Sequence, residues 1–278
     1  MSASPALVAE AAVVNPHVVA GSAALVIALM SLLVYVYRPR LFILWGMGAW
    51  LLLAASMFIV ARTYGSDKLG AMAYGISQFM GVLASLAFVV AADAYRRHPR
   101  LKRAYALVLL PIAIYFVLLP VALGAQTVFA LGHLLIAGGM ATAAAAHLLL
   151  LRYIRLIGAA ILGGALIAVA ALNVWMGASI GVPESSRQIS ALVGMSVVFL
   201  VGAFGQQLMA FEDMTHELRQ TNRRLQRARN ELRQLVMTDA LTGTRNRRFF
   251  DEVIGRELQR HKRYKMPLSI VFIDIDRF

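Results

Sequence analysis

From Ser190 to Met237 the chain reads SALVGMSVVFLVGAFGQQLMAFEDMTHELRQTNRRLQRARNELRQLVM. Its first part, Ser190 to Ala210, is apolar and long enough for a helix crossing a hydrocarbon core, which takes about 20 residues. From Phe211 the composition turns polar, yet neither glycine nor proline occurs between Gly205 and Gly243. A helix that leaves a membrane is therefore predicted to continue to about Met237, roughly 50 Å beyond Gly205. Within it Phe211, Met214, Leu218, Thr221, Leu225, Ala228, Leu232 and Leu235 recur at heptad spacing. That is the seam of a parallel coiled coil, and it predicts a homodimer. The alternative is a single amphipathic helix lying on anionic lipid through Arg219, Arg223, Arg224 and Arg227. Thr221 and Ala228 fill core positions poorly, so the coil reads as weak and open to a rotation or register switch.

Working back toward the N-terminus, six more apolar stretches have spanning length: Val18 to Tyr37, Leu41 to Ala61, Leu69 to Ala92, Ala104 to Gly124, Val128 to Leu151 and Leu156 to Met176. Backbone amides need internal partners in lipid, so each is predicted to be a helix. The expected membrane region is an all-α polytopic bundle of seven transmembrane helices over 18–210, after an extracytoplasmic tail at 1–17. The signalling helix follows at 211–237 and a separate segment at 238–278. Short connections such as Arg38-Pro39-Arg40 make consecutive helices neighbours.

Composition agrees with this organisation. Apolar residues make up 60% of the chain and the mean hydropathy is +0.69, above the level of soluble domains. The first 210 residues carry 12 Lys/Arg and 4 Asp/Glu, and the last 68 carry 15 and 10. The net charge of +13 thus comes from residues between apolar runs and from the C-terminal part, which points away from nucleic acid. Alternate loops hold nine basic residues (Arg38, Arg40, Arg96, Arg97, Arg100, Lys102, Arg103, Arg152, Arg155) against three (Arg62, Lys68, Arg187) on the other side. Positive loops stay cytoplasmic. The N-terminus is therefore expected outside and the C-terminus in the cytoplasm, with the chain in a bacterial inner membrane as a multi-pass protein. The chain has no cysteine, so disulfides, thiolate nucleophiles and cysteine metal sites are excluded. No Lys or Arg precedes the first apolar run, which argues for a retained span over a cleaved signal.

Inside the spans, His133 and His147 lie about 40° apart on one helix face, separated by about 21 Å along the axis. One metal cannot take both. Hydrogen bonding to a neighbouring helix, or an interfacial position, accounts for them more simply than haem, metal or proton sensing. Gln78 and Asn173 have the chemistry to bind a ligand, but such amides more often bridge helices. Pro111 and Pro120 are expected to bend the fourth span. Gly138, Gly139, Gly163, Gly164 and the run Ala143 to Ala146 allow close packing, and Trp45 and Trp175 suit interfaces. None of this names a stimulus.

Beyond the long helix, Asp239 to Val253 reads DALTGTRNRRFFDEV, and the chain ends in PLSIVFIDIDRF. Asp239 to Gly243 predicts a turn. A helix is expected from Asn246 onward, with Asp251 and Glu252 in its first turn and Phe250, Val253, Ile254 and Leu258 on its apolar face. The basic cluster from Arg260 to Lys265 reads as a solvated helix end. Leu268 to Ile273 predicts a buried strand that delivers Asp274 at its carboxyl end, where a carboxylate suits Mg²⁺ facing phosphates.

These two segments, Asp239-x-Leu241-Thr242-Gly243 followed by Asn246-Arg247-Arg248, then a strand ending in Asp274-Ile275-Asp276-x-Phe278, resemble the GGDEF domain of diguanylate cyclases. The resemblance covers about the last seventh of the chain and implies the start of an α/β cyclase-like domain. It implies that Asp274 and the backbone carbonyl of Ile275 bind Mg²⁺ (or Mn²⁺), with a weaker part for Asp276. It further implies GTP as substrate, a homodimer with half a site from each subunit, and closure of two GTP to cyclic di-GMP. Thr244 departs from the family's usual Leu. The Gly-Gly-[Asp/Glu]-Glu-Phe signature is not in the sequence, so the chain reads as C-terminally truncated, a fragment without catalytic residues of its own and expected to be inactive. Two alternatives stay open at this stage: a non-enzymatic signalling protein with a degenerate output domain, and a receptor or transporter whose tail is incidental.

Overall fold

A computed structural model describes residues 15–63, 68–96, 104–123, 126–152, 156–179, 184–239, 241–274 and 276. Eight helices occur among them: α1 (Pro16–Tyr37), α2 (Leu41–Thr63), α3 (Lys68–Arg96), α4 (Ala104–Leu123), α5 (Gln126–Leu150), α6 (Ile157–Ala178), α7 (Glu184–Met237) and α8 (Arg247–Tyr264). The chain divides into two compact units, 1–213 and 214–278, and α7 contributes to both.

In the first unit, stop signals in the sequence set the helix ends. Asn15 caps α1 by accepting from the His17 amide, and Pro16 opens the helix with a preset φ. Arg38 leaves the helix in an extended conformation, as a residue before proline does. Consecutive helices pack on one another from α1 through α6, and α3 also packs on α5. At the centre Trp50 lies edge-on to Phe88 at 5.2 Å and to Phe199 at 5.4 Å, joining α2, α3 and α7. Outward faces are apolar as well: Leu33, Leu118, Leu134, Ile167 and Leu200 are all half-exposed or more. Apolar patches of this extent need a non-aqueous neighbour.

Among the described residues six helices are long and apolar enough to cross a membrane: α1, α2, α3, α5, α6 and α7 from Val193 onward. The expected seventh span falls on α4, a helix of 20 residues with Pro111 and Pro120 inside it. All 20 of its residues are apolar or proline, and the part whose side chains are described, Leu109–Ala122, is an apolar helix too. Pro120 has no N–H to offer the Phe116 carbonyl one turn earlier. That carbonyl instead points at Gly75 of α3 so closely that a Cβ there would lie 1.8 Å from it. Arg97, Arg100, Lys102, Arg103 and Arg155, used above to assign sidedness, lie outside the described residues, as does the tail 1–14.

Glycines expected to allow close packing divide unevenly. Gly139 meets Ser85, and Gly163 meets Leu148, while Gly138 and Gly164 face open space. Another close crossing joins Gly158 of α6 and Gly205 of α7, where each glycine lies against the other helix's backbone.

In the second unit α7 runs unbroken to Met237, as the absence of glycine and proline predicts. Two expectations are corrected here. Asp251 and Glu252 fall in the second turn of α8, because the helix starts only at Arg247 and has no acid in its first turn. Glu252 pairs with Arg233 of α7 instead. The predicted strand at Leu268 to Ile273 is neither a strand nor buried: no strand occurs among the described residues, and Val271, Phe272 and Ile273 are 79%, 86% and 87% exposed. A strand exists through hydrogen bonds to a neighbour, and no described segment lies alongside to supply them. The apolar face of α8 is only partly covered: Phe250 and Leu258 are exposed, Val253 and Ile254 half-buried, and no residue of the helix is fully buried.

Candidate functional site

The segment after Met237 is built by two side chains. Asp239 Oδ1 accepts from the Leu241 amide at 3.1 Å, the Thr242 amide at 3.0 Å and Thr242 Oγ1 at 3.0 Å. The Asp239 amide donates to the Thr244 carbonyl, and the Gly243 amide donates to the Asp239 carbonyl. Gly243 has φ +68°, a region where a side chain is strained and glycine is not. Leu241 contributes only backbone here, and its side chain is exposed. The hydrogen bonds from Thr242 (amide, then hydroxyl) and from the Leu241 amide hold the Asp239 carboxyl below its usual pKa of 3.8.

Asn246 joins two helices. Its Oδ1 accepts from the Phe249 amide at 3.1 Å and so caps α8. Its Nδ2 donates to the Val236 carbonyl at 2.7 Å and the Thr238 carbonyl at 3.3 Å, satisfying acceptors at the end of α7. Arg247 is the first residue of α8 and is exposed. Arg245 lies over the Phe249 ring at 4.7 Å. Lys265 ends α8 in the left-handed region at φ 55°.

Asp274 ends the irregular stretch after Pro267, and Asp276 follows in a turn; both are exposed. Ile275 lies outside the described residues. Carboxylate oxygen is the donor type that Mg²⁺ takes, and one or two carboxylates beside substrate phosphates make a normal set. The residues present thus fit a part of a Mg²⁺ site, and among the described residues no three His, Asp or Glu converge on one point.

The coil positions Leu218, Leu225 and Leu232 are 70%, 67% and 64% exposed, an apolar stripe on a helix that is otherwise polar over this stretch. Leu235 lies in the helix, but its side chain is outside the described residues.

The histidines of α5 have separate surroundings. His133 Nδ1 meets Asn173 Oδ1 at 2.9 Å, and Tyr74 Oη meets His133 Nε2 at 3.2 Å. Asn173 Oδ1 only accepts, so the ring donates to it from Nδ1, while Nε2 stands within hydrogen-bond reach of the Tyr74 hydroxyl. His133 is thus a bridge from α5 to α3 and α6. His147 donates from Nδ1 to the Ala143 carbonyl of its own helix at 2.9 Å. Gln78 Oε1 is buried against Gly132 of α5, with no hydrogen-bond donor among the described residues.

Sequence reasoning missed the groups where α7 leaves the bundle. Trp50 Nε1 donates to Gln206 Oε1 at 2.7 Å, while Gln206 and Gln207 both donate to Ser31 Oγ. Glu212 accepts from the Ile157 and Gly158 amides, and Asp213 pairs with Arg38 and Arg40. An acidic pair directly after an apolar span was the available signal.

No curated protein and no solved structure matches the chain. One family model does, described as diguanylate cyclase, GGDEF domain, over residues 236–278. The matched residues begin at the last turn of α7 and take in the Asp239 turn, the Asn246 double cap, α8 and Asp274. Residues 236–278 carry sequence of a GGDEF domain of the diguanylate cyclase family.

Proposed function

We propose that this chain is the membrane and signalling part of a diguanylate cyclase that condenses two GTP into cyclic di-GMP. The observation that carries the reading is the placement of the GGDEF sequence. It follows without a break on a helix that begins among apolar spans and ends in an Asn246-capped turn. In this reading the spans number seven, with α4 completing the crossing beside the six longer helices. The N-terminus is outside the bacterial inner membrane and the C-terminus inside, where GTP is. The exposed stripe Leu218, Leu225, Leu232, joined by Leu235, pairs with a second copy, and the homodimer brings two half-sites together.

Asp274 and the carbonyl of Ile275 would hold Mg²⁺, with Asp276 a lesser candidate. Bound there, Mg²⁺ supplies positive charge against the phosphates of GTP. The chain's own contribution is position: the turn from Asp239 to Asn246 fixes where α8 starts relative to the coil, and α8 leads to the segment carrying Asp274. None of the 278 residues forms a Gly-Gly-[Asp/Glu]-Glu-Phe motif, so this polypeptide alone is proposed to be inactive.

The test is GTP turnover by the product of the whole coding sequence, assayed for cyclic di-GMP, beside the 278-residue chain and an Asp274→Ala variant. Turnover by the whole product, lost in Asp274→Ala and missing from the shorter chain, supports the reading. A whole product that binds GTP without turnover points instead to a non-enzymatic signalling protein.

A further inference from the structure

Between Gly205 and Asp213, α7 passes from the bundle into the exposed part of the signalling helix, and there it is held at every turn. Gly205 crosses Gly158 so closely that a Cβ on Gly158 would lie 2.4 Å from the Met209 amide nitrogen. Gln206 and Gln207 bond Ser31 of α1, and Gln206 also takes the Trp50 N–H of α2. One turn on come two acids. Glu212 Oε1 accepts from the Ile157 amide at 2.9 Å, and Oε2 accepts from the Gly158 amide at 3.2 Å. Asp213 Oδ2 lies 3.2 Å from Arg40 Nε and 3.4 Å from Arg38 Nε, at the turn between α1 and α2.

The Glu212 contact answers a need on the other side. Helix α6 begins after Leu156, which has no side-chain oxygen and makes no cap. The first amides of a helix lack internal carbonyl partners, and its positive end favours a carboxylate. Another helix, α7, thus supplies the cap that the local sequence of α6 withholds. Consecutive residues on a helix point about 100° apart, so Glu212 and Asp213 bind two different elements and fix both the height and the rotation of α7. A turn of one residue would carry both acids off their partners.

We propose that Glu212 and Asp213 form a two-acid latch between the signalling helix and the bundle, and that opening it is how the bundle regulates the output. The regulatory clause rests on the proposed cyclase function; the latch itself does not. Its release leaves α7 held here by the Gly158–Gly205 crossing and by the Gln206 and Gln207 bonds to α1 and α2.

The full 278-residue chain in lipid nanodiscs provides the test, since it has no native cysteine to confuse labelling. Two readouts are taken: hydrogen exchange at the Ile157 and Gly158 amides, and the distance distribution between spin labels at Leu151 and Phe211, both exposed positions. Glu212→Ala is expected to speed exchange at both amides about tenfold, with Glu212→Gln, which keeps one acceptor oxygen, falling between. Asp213→Arg is expected to broaden the label distances, and Asp213→Arg with Arg40→Asp to narrow them again. Unchanged exchange in Glu212→Ala overturns the latch, as does a double swap no better than Asp213→Arg alone. Should Glu212→Ala fail to fold, Glu212→Gln and the double swap decide on the same criteria. Neither readout needs nucleotide. A latch that opens as expected while the product of the whole coding sequence shows no cyclase turnover therefore refutes the proposed function and leaves the latch standing.

Discussion

Asn246 does two jobs with one side chain, and substitution separates them. Asn246→Ala removes the acceptor that caps α8 at the Phe249 amide and the donors that reach the Val236 and Thr238 carbonyls. Loss of an N-cap costs about 1 kcal/mol. The two donor bonds sit in a half-exposed place where water competes, so together they add about 1 kcal/mol. The alanine variant is then destabilised locally by about 2 kcal/mol, which is roughly a thirtyfold change in an opening equilibrium. Asn246→Asp keeps a good N-cap oxygen and removes the donors, so it retains the α8 share alone. Hydrogen exchange reads both ends: the Phe249 amide reports the cap, and the Asn246 amide, which donates to the Met237 carbonyl at 3.1 Å, reports the junction with α7. The alanine variant is expected to expose both, and the aspartate variant the junction only. Equal acceleration at Phe249 in the two variants would refute the division of labour, because it would mean the oxygen contributes nothing of its own.

Three further outcomes follow from the same geometry. Gln206→Ala strands the Trp50 N–H in the core and is expected to cost about 2 kcal/mol. Thermal unfolding in detergent should show this, with partial recovery when Trp50→Phe removes the stranded donor. Gly158→Ala places a Cβ 2.4 Å from the Met209 nitrogen and 2.6 Å from the Gly205 oxygen. The helices must part at a cost of about 1–3 kcal/mol, whereas Gly138→Ala, with nothing within 4 Å, should be neutral or stabilising in the same melt. The Asp239 carboxyl titrates below its usual 3.8 in the folded turn. Its contribution is therefore complete above that value and is lost as pH falls toward the depressed one. Exchange at the Thr242 amide should rise over that acidic interval in the wild type and stay level in Asp239→Asn.

The helices were legible because each feature that defines them is local. An apolar run of fixed length between Arg-Pro-Arg or charged breaks is a helix whatever it packs against, and 37 residues without glycine or proline after Gly205 leave α7 no place to stop before Met237. The turn after Met237 was legible for the same reason, since Asp, Thr, Gly and Asn act within eight residues there. What failed was whatever depends on a distant partner. The run SIVFI has the β-branched and aromatic character of a strand, but strand-ness belongs to a pair, and its half of the pair alone stays irregular and exposed. The ring of His133 could be assigned no partner from sequence, because Tyr74 and Asn173 come from 59 and 40 residues away.

The same distinction explains why Glu212 and Asp213 went unread. Locally they look like the ordinary polar start of a solvated helix, two charges after an apolar span. Their role arises from two deficits elsewhere: an α6 whose preceding residue is Leu156 and brings no cap, and a turn that concentrates Arg38 and Arg40 around a proline. A carboxylate on a separate helix answers both at once only if α7 stands at one height and one rotation. Cap and ion pair together therefore measure the position of α7 more finely than the apolar contacts above them, which tolerate sliding because lipid is as apolar as the helices it replaces. If the bundle signals by moving α7, it has to break these polar contacts first. If it signals by moving as one body with α7, the contacts persist in every state. Exchange at Ile157 and Gly158, followed with and without whatever the bundle senses, distinguishes the two: a rise on stimulation means the latch opens, and constancy means the bundle and α7 move together.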